Sequence, residues 1–267
     1  MKGIIFAGDS FTWGQGVHYY SELPNIQFPL NNYNREYLTN AHISYKDSQR
    51  WVRYVAHYFK TFELVSPING GSDINSLEFI DFIWKNGYNY DDISYVVFQT
   101  TQFIRSPFKF TYKGNEYDMS ITWYDFLSTE IKEVVDGWLI ENNSTFEEFE
   151  LLYKMQVLER IKVKFRSLEE NGIKCMIMCW PPDYLDLILN DGYIKERFIP
   201  INYKDTEYLC MEHMMHTHPE TVIYTDPTLP TSHQTGDLHI SMTGHTAVAN
   251  SVIKKIESYE LARIHAI

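Results

Sequence analysis

The run Lys2-Gly3-Ile4-Ile5-Phe6-Ala7-Gly8-Asp9-Ser10-Phe11 decides how the chain is read. Gly3 to Ala7 is apolar without alternation, as in a strand covered on both faces, and such strands belong to parallel sheets flanked by helices. Gly8-Asp9-Ser10 then breaks the run as a tight turn, so a serine arrives at the carboxyl end of the first strand. Reactive groups in these sheets collect at the carboxyl ends of the strands, where the loops converge on one crevice.

Outward from this run, strand and helix periods alternate. Gln49 to Phe59 has helical spacing through Trp51, Val52 and Val55, and Phe62 to Val65 reads as a second strand that exits into Asn69-Gly70-Gly71-Ser72. Asp73 to Trp84 is again helical, and Ser94 to Phe98 is a third buried strand. A long helix from Thr145 to Asn171 stops at Gly172 and leads into Lys174 to Trp180, a fourth strand ended by Pro181-Pro182. The stretch from Tyr203 to His216 reads as helical, Thr221-Val222-Ile223-Tyr224 as a fifth strand, and Thr243 to Tyr259 as a closing helix. This pattern predicts one α/β domain over residues 1–267, a three-layer α/β/α arrangement around a mainly parallel five-stranded sheet. Two insertions interrupt it, at about 17–50 and 105–150. The first is irregular; the second is aromatic, with a hairpin around Phe108 to Tyr117 and a helix from Trp123 to about Trp138.

Composition narrows the function. A chain of 267 residues with 44% hydrophobic and 22% charged residues carries enough apolar material for one sizeable core. A formal net charge of -12 with no basic stripe argues against a nucleic-acid partner. Three cysteines, Cys175, Cys179 and Cys210, cannot all pair, so no disulfide framework is expected and a reducing compartment fits. The apolar stretch from Gly3 to Gly8 is too short for a leader, and no segment approaches the roughly 20 apolar residues of a membrane span. The expectation is a cytoplasmic protein with no membrane partner, although a component released by other means has the same appearance.

Three pieces carry chemistry: Gly8-Asp9-Ser10-Phe11, Asn69-Gly70-Gly71-Ser72-Asp73, and Asp237-Leu238-His239 with Gly244-His245 after it. A serine hydroxyl becomes a nucleophile when a base takes its proton, and an imidazole base needs an acceptor on its other nitrogen. Ser10, His239 and an aspartate meet both needs. The tetrahedral intermediate also needs preorganised donors, for which the backbone N–H groups of Ser10 and Gly71 are candidates.

In these pieces the chain resembles the SGNH/GDSL hydrolase family nearly end to end. Gly8-Asp9-Ser10 is similar to the first block of that family, Gly71 to the glycine of the second, and His239 with Gly244 five residues later to the last. The order, serine first and then Asp and His near the carboxyl terminus, is the same. The resemblance implies a flavodoxin-like three-layer fold, a Ser10–His239–Asp237 triad and an ester substrate. Acetyl or short acyl esters, including O-acetylated sugars, are the implied class, cleaved without metal or organic cofactor.

Two departures stand out. Where the family's third block has Gly-x-Asn-Asp, with the Asn side chain donating to the oxyanion, this chain has Gln99-Thr100-Thr101-Gln102, so Thr101, Gln102 or Gln99 would have to donate. In the last block Asp237 precedes His239 by two residues instead of three, which leaves Asp226 as a second candidate for orienting the base. Plainer roles stand beside these: Gly-Asp-Ser is also a helix cap, and so are Ser72 and Asp73. His213, His216 and His218 lack zinc-ligand partners at recognisable spacing and read as a surface helix end. Cys175 and Cys179 read as small core residues. His233, His245 and Arg105 are each either substrate contacts or loop residues. Beside the hydrolase stand two alternatives, an O-acyltransferase with the same triad and an inactive carbohydrate-binding or structural protein on this fold.

Overall fold

A strand whose residues are apolar at every position must be covered on both sides, and Gly3 to Ala7 is buried throughout. The computed structural model describes residues 2–21, 40–67, 70–105, 107–120, 128–229 and 237–265. Strands β1 (Gly3–Ala7), β2 (Glu63–Val65), β3 (Ile93–Thr100) and β6 (Lys174–Cys179) form one parallel sheet in the order β2-β1-β3-β6. The register sets Phe6 opposite Val65 and Val97, and Val97 opposite Met176.

Because side chains alternate along a strand, each strand feeds two cores. Ile5, Ala7, Val96, Phe98, Cys175 and Ile177 face a layer made by α4 (Asp73–Lys85) and α6 (Phe146–Glu170), through Leu77, Ile80, Ile161 and Phe165. Ile4, Phe6, Tyr95, Val97, Met176 and Met178 face the opposite layer, made by α3 (Trp51–Tyr58) and α10 (Met242–His265), through Trp51, Val55, Val248 and Val252. The three-layer α/β/α arrangement follows directly. Among the described residues no helix is long and apolar enough to cross a membrane.

Two expectations are corrected. Thr221 to Tyr224 is not a fifth strand of the sheet: it forms single-turn helices on either side of Val222, which makes one antiparallel bridge to Ile240. Pro219 and Pro227 bracket the stretch and shorten it; the Thr221 and Val222 N–H groups close the preceding turn on His218 and Pro219, and those of Ile223 and Tyr224 go to the loop of His239 instead of to a ladder. Among the described residues the sheet edge beside β6 carries a single parallel bridge, Ile177 with Phe198. The second correction concerns the stretch from Tyr203 to His216, which opens as a two-stranded ribbon, β7 (Ile201–Tyr203) with β8 (Thr206–Tyr208), and becomes helical only at α9 (Met211–Thr217). Lys204 and Asp205 both adopt positive φ, 48° and 60°, the backbone of a tight two-residue hairpin turn.

Of the first insertion, α2 (Asn40–Gln49) lies within the described residues and 22–39 lie outside them. In the second, β4 (Pro107–Tyr112) and β5 (Asn115–Ser120) form the expected hairpin, and α5 (Thr129–Glu141) packs on it. The start of the helix expected from Trp123 lies outside the described residues. Phe108, Phe110, Tyr117, Trp138 and Phe149 pack on one another in a satellite core, so these rings are used for cohesion. Short helices α7 (Leu185–Asn190) and α8 (Gly192–Lys195) follow β6 in the chain.

Candidate active site

Ser10 opens the four-residue helix α1 (Ser10–Trp13) at the carboxyl end of β1, and Asp9 caps it by accepting the Phe11 N–H at 3.1 Å. The turn is tight. A Cβ on Gly8 would stand 2.3 Å from Thr12 Oγ1, so only glycine fits there. Ser10 itself is buried, with its hydroxyl turned to His239.

His239 Nε2 lies 2.7 Å from Ser10 Oγ, and His239 Nδ1 lies 2.6 Å from Asp237 Oδ1. A carboxylate at Nδ1 places the ring proton there, which leaves the Nε2 lone pair to accept the Ser10 O–H. The two-residue spacing works because Asp237 Oδ1 also accepts the backbone N–H of His239 at 2.9 Å, so the carboxylate folds back over its own turn. Burial alone would raise the Asp237 carboxyl. Its partner His239, through charge and hydrogen bonds, and the nearby His18 outweigh that and hold it below the usual carboxylate range.

The stretch that is not a fifth strand positions this loop. Ile223 N–H donates to His239 O and Tyr224 N–H to Asp237 O, both at 2.9 Å, and Ser241 N–H donates to Thr221 O at 2.8 Å. From the other side Gly16, at φ 84°, packs so closely that a Cβ would meet Ile223 Cδ1 at 2.1 Å and Asp237 Oδ2 at 3.0 Å. Asp226 is occupied elsewhere: it accepts the Tyr20 hydroxyl at 2.6 Å and both the N–H and hydroxyl of Thr228 at 2.8 Å. Asp237, and not Asp226, is therefore the carboxylate beside His239.

Gly71 is buried in the turn that leads into α4, at the same end of the sheet as Ser10. Ser72 is the cap of α4, in a reciprocal box with Asn75. Asp73 is fully buried and receives the Thr101 N–H at 2.9 Å. Burial, with Asp9 and Asp183 close by, pushes its carboxyl up to about 8.

Thr101 does not stand free to hold an oxyanion: its N–H goes to Asp73 and its hydroxyl donates to Asp9 at 2.8 Å. Gln99 is likewise engaged, donating to Asp9 at 2.7 Å and accepting from Thr12 at 2.6 Å. Gln102 is half-buried at the same strand end, its carbonyl accepting the Arg105 N–H.

Asp9, which the sequence offers only as a cap, is the hub of this end of the sheet. It is fully buried and accepts from Phe11 N, Gln99 Nε2, Thr101 Oγ1 and Arg105 Nη1, the last at 2.7 Å. Nothing local reveals this, because three of those partners come from the end of β3 and the turn that follows it, roughly ninety positions away. Phe11 packs at a tilt on His239 at 4.7 Å and on Trp180 at 4.2 Å, which walls His239 on one side.

His245 and His218 are engaged by partners of their own. His245 is buried and accepts the Trp51 N–H at the start of α3, and burial lowers its imidazole to about 3, so it stays neutral. His218 bonds to the Tyr208 hydroxyl at 2.6 Å, and among the described residues no three His, Cys, Asp or Glu side chains gather as a metal site. His233 lies outside the described residues. All three cysteines are buried, and burial raises their thiols, that of Cys179 to about 12.

Compared with models of known protein families, with curated proteins and with solved structures, the chain finds no match in any of the three.

Proposed function

We propose that this protein is a serine esterase of the SGNH/GDSL type, cleaving an acetyl or short acyl ester of a small alcohol or carbohydrate through an acyl-enzyme. The observation that carries this reading is the unbroken chain from Ser10 Oγ to His239 Nε2 and from His239 Nδ1 to Asp237. It joins positions 229 residues apart in a geometry that a cap or a solvated loop does not require.

In the proposed reaction Ser10 Oγ attacks the ester carbonyl carbon while its proton passes to His239 Nε2. Asp237 stabilises the imidazolium that forms. Negative charge develops on the former carbonyl oxygen, for which the Ser10 and Gly71 N–H groups are the assigned donors. Collapse breaks the carbon–oxygen bond, and the leaving alkoxide takes the proton back from His239. Water then attacks the acyl-serine by the same route, giving the carboxylic acid and restoring Ser10.

The test is turnover of 4-nitrophenyl acetate together with labelling by a fluorophosphonate probe. The wild type should do both, and Ser10→Ala should lose labelling and about 10⁶ in kcat, the scale of removing such a nucleophile. An unchanged rate in Ser10→Ala would remove Ser10 from the mechanism.

A further inference from the structure

Arg105 is more than the counter-ion that Asp9 requires. It ends the single-turn helix Phe103–Arg105 that follows β3, at the same end of the sheet as Ser10. Its Nη1 holds Asp9 Oδ2 at 2.7 Å, which tethers the guanidinium to the residue next to the nucleophile. Its Cζ lies 5.0 Å from the centre of the Trp180 ring, and Trp180 packs on Phe11, which packs on His239. The guanidinium therefore belongs to the same wall as the base.

A lysine would neutralise Asp9. The guanidinium adds a second edge, Nε–H with Nη2–H, that bonds to no other described residue, and 20% of the side chain is open to solvent. Two parallel donors on one rigid plane match the two oxygens of a carboxylate. In a chain of net charge -12, a cation kept part-open beside the nucleophile marks out this crevice.

We propose that Arg105 is a specificity-determining residue whose Nε–Nη2 edge binds a carboxylate carried by the ester substrate. The inference rests on the Ser10–His239–Asp237 reading. Recognition comes from the carboxylate, on the alcohol or on the acyl part, and two pairs of probes separate these: 4-acetoxybenzoate against 4-acetoxybenzamide, and mono-4-nitrophenyl glutarate against 4-nitrophenyl butyrate.

In one pair the wild type should favour the anionic ester in kcat/KM by roughly tenfold to a hundredfold, the scale of charge-assisted hydrogen bonds. Arg105→Gln should bring that ratio to about one, and Arg105→Lys should keep part of it. Should Arg105→Gln fail to fold around an unpaired Asp9, the wild type alone still decides, because benzoate should compete with neutral-ester turnover at least tenfold better than benzamide. Equal turnover of both members of each pair, with equal competition, overturns the proposal, and so does an Arg105→Gln variant that slows both members equally. A wild type that turns over no ester and takes no fluorophosphonate overturns the triad reading instead.

Discussion

Replacing Asp237 by Asn tests the site at the point where two carboxylates compete for one role. Asparagine keeps the shape of the side chain and one carbonyl oxygen, so the turn over the His239 N–H is retained, and what is lost is the charge facing Nδ1. At the observed 2.6 Å, a unit charge pair in a medium of effective dielectric about 20 is worth about 6 kcal/mol. His239 and Asp237 are little exposed, 17% and 1% at the side chain, so solvent removes little of it. Six kcal/mol corresponds to about 10⁴ in rate, the size of the same exchange in a serine-protease triad. Asp237→Asn should therefore lose about 10⁴ in kcat on 4-nitrophenyl acetate while KM moves little, with the urea midpoint read alongside to show that the variant is folded. Asp226→Asn, which loosens a Tyr20 and Thr228 turn, should stay within about tenfold of the wild type. The reasoning fails if Asp237→Asn stays within tenfold of the wild type, or if Asp226→Asn is the variant that collapses.

Two further outcomes follow from the buried carboxylates behind the nucleophile. Asp9→Ala strands the Arg105 charge and three further donors, and should cost about 3–5 kcal/mol, or about 10 °C in Tm at this chain length. A thermal melt within about 2 °C of wild type would show that the hub is dispensable. Asp73, with its folded-state carboxyl raised to about 8, contributes in the opposite sense to Asp237. Its unfolded counterpart ionises near pH 4, so stability falls as pH rises from about 4 to 8. Asp73→Asn, which keeps an acceptor for the Thr101 N–H and cannot ionise, should flatten that decline and raise the urea midpoint at pH 8 but not at pH 4; identical pH slopes for variant and wild type would refute it.

The sheet was legible because its determinants are local. Ile4, Ile5 and Phe6, or Val96, Val97 and Phe98, are apolar at both alternate positions, and only a strand between two layers buries both sets. The positions of Ser10, Gly71 and His239 were legible for a related reason: each follows a strand or precedes a helix, and a parallel sheet gathers those ends. Thr221 to Tyr224 misled because a short β-branched run looks the same whether it joins a ladder or pairs once with Ile240. The stretch from Tyr203 to His216 misled because Lys204-Asp205 lacks the glycine that usually announces a tight hairpin.

What the sequence by itself determined is the layered scaffold and the arrival of a serine and a histidine at one end of it, since periodicity and turn chemistry act over a few residues. Only the tertiary structure decided which carboxylate faces His239, that Thr101 and Gln99 are bound to Asp9, and that one edge of Arg105 bonds to no other described residue. Those choices depend on hydrogen bonds between side chains that the fold brings together, such as Asp9 with Arg105, 96 positions apart. A hydrogen bond is made or lost within a fraction of an ångström, a resolution that the spacing of residues along a chain does not carry.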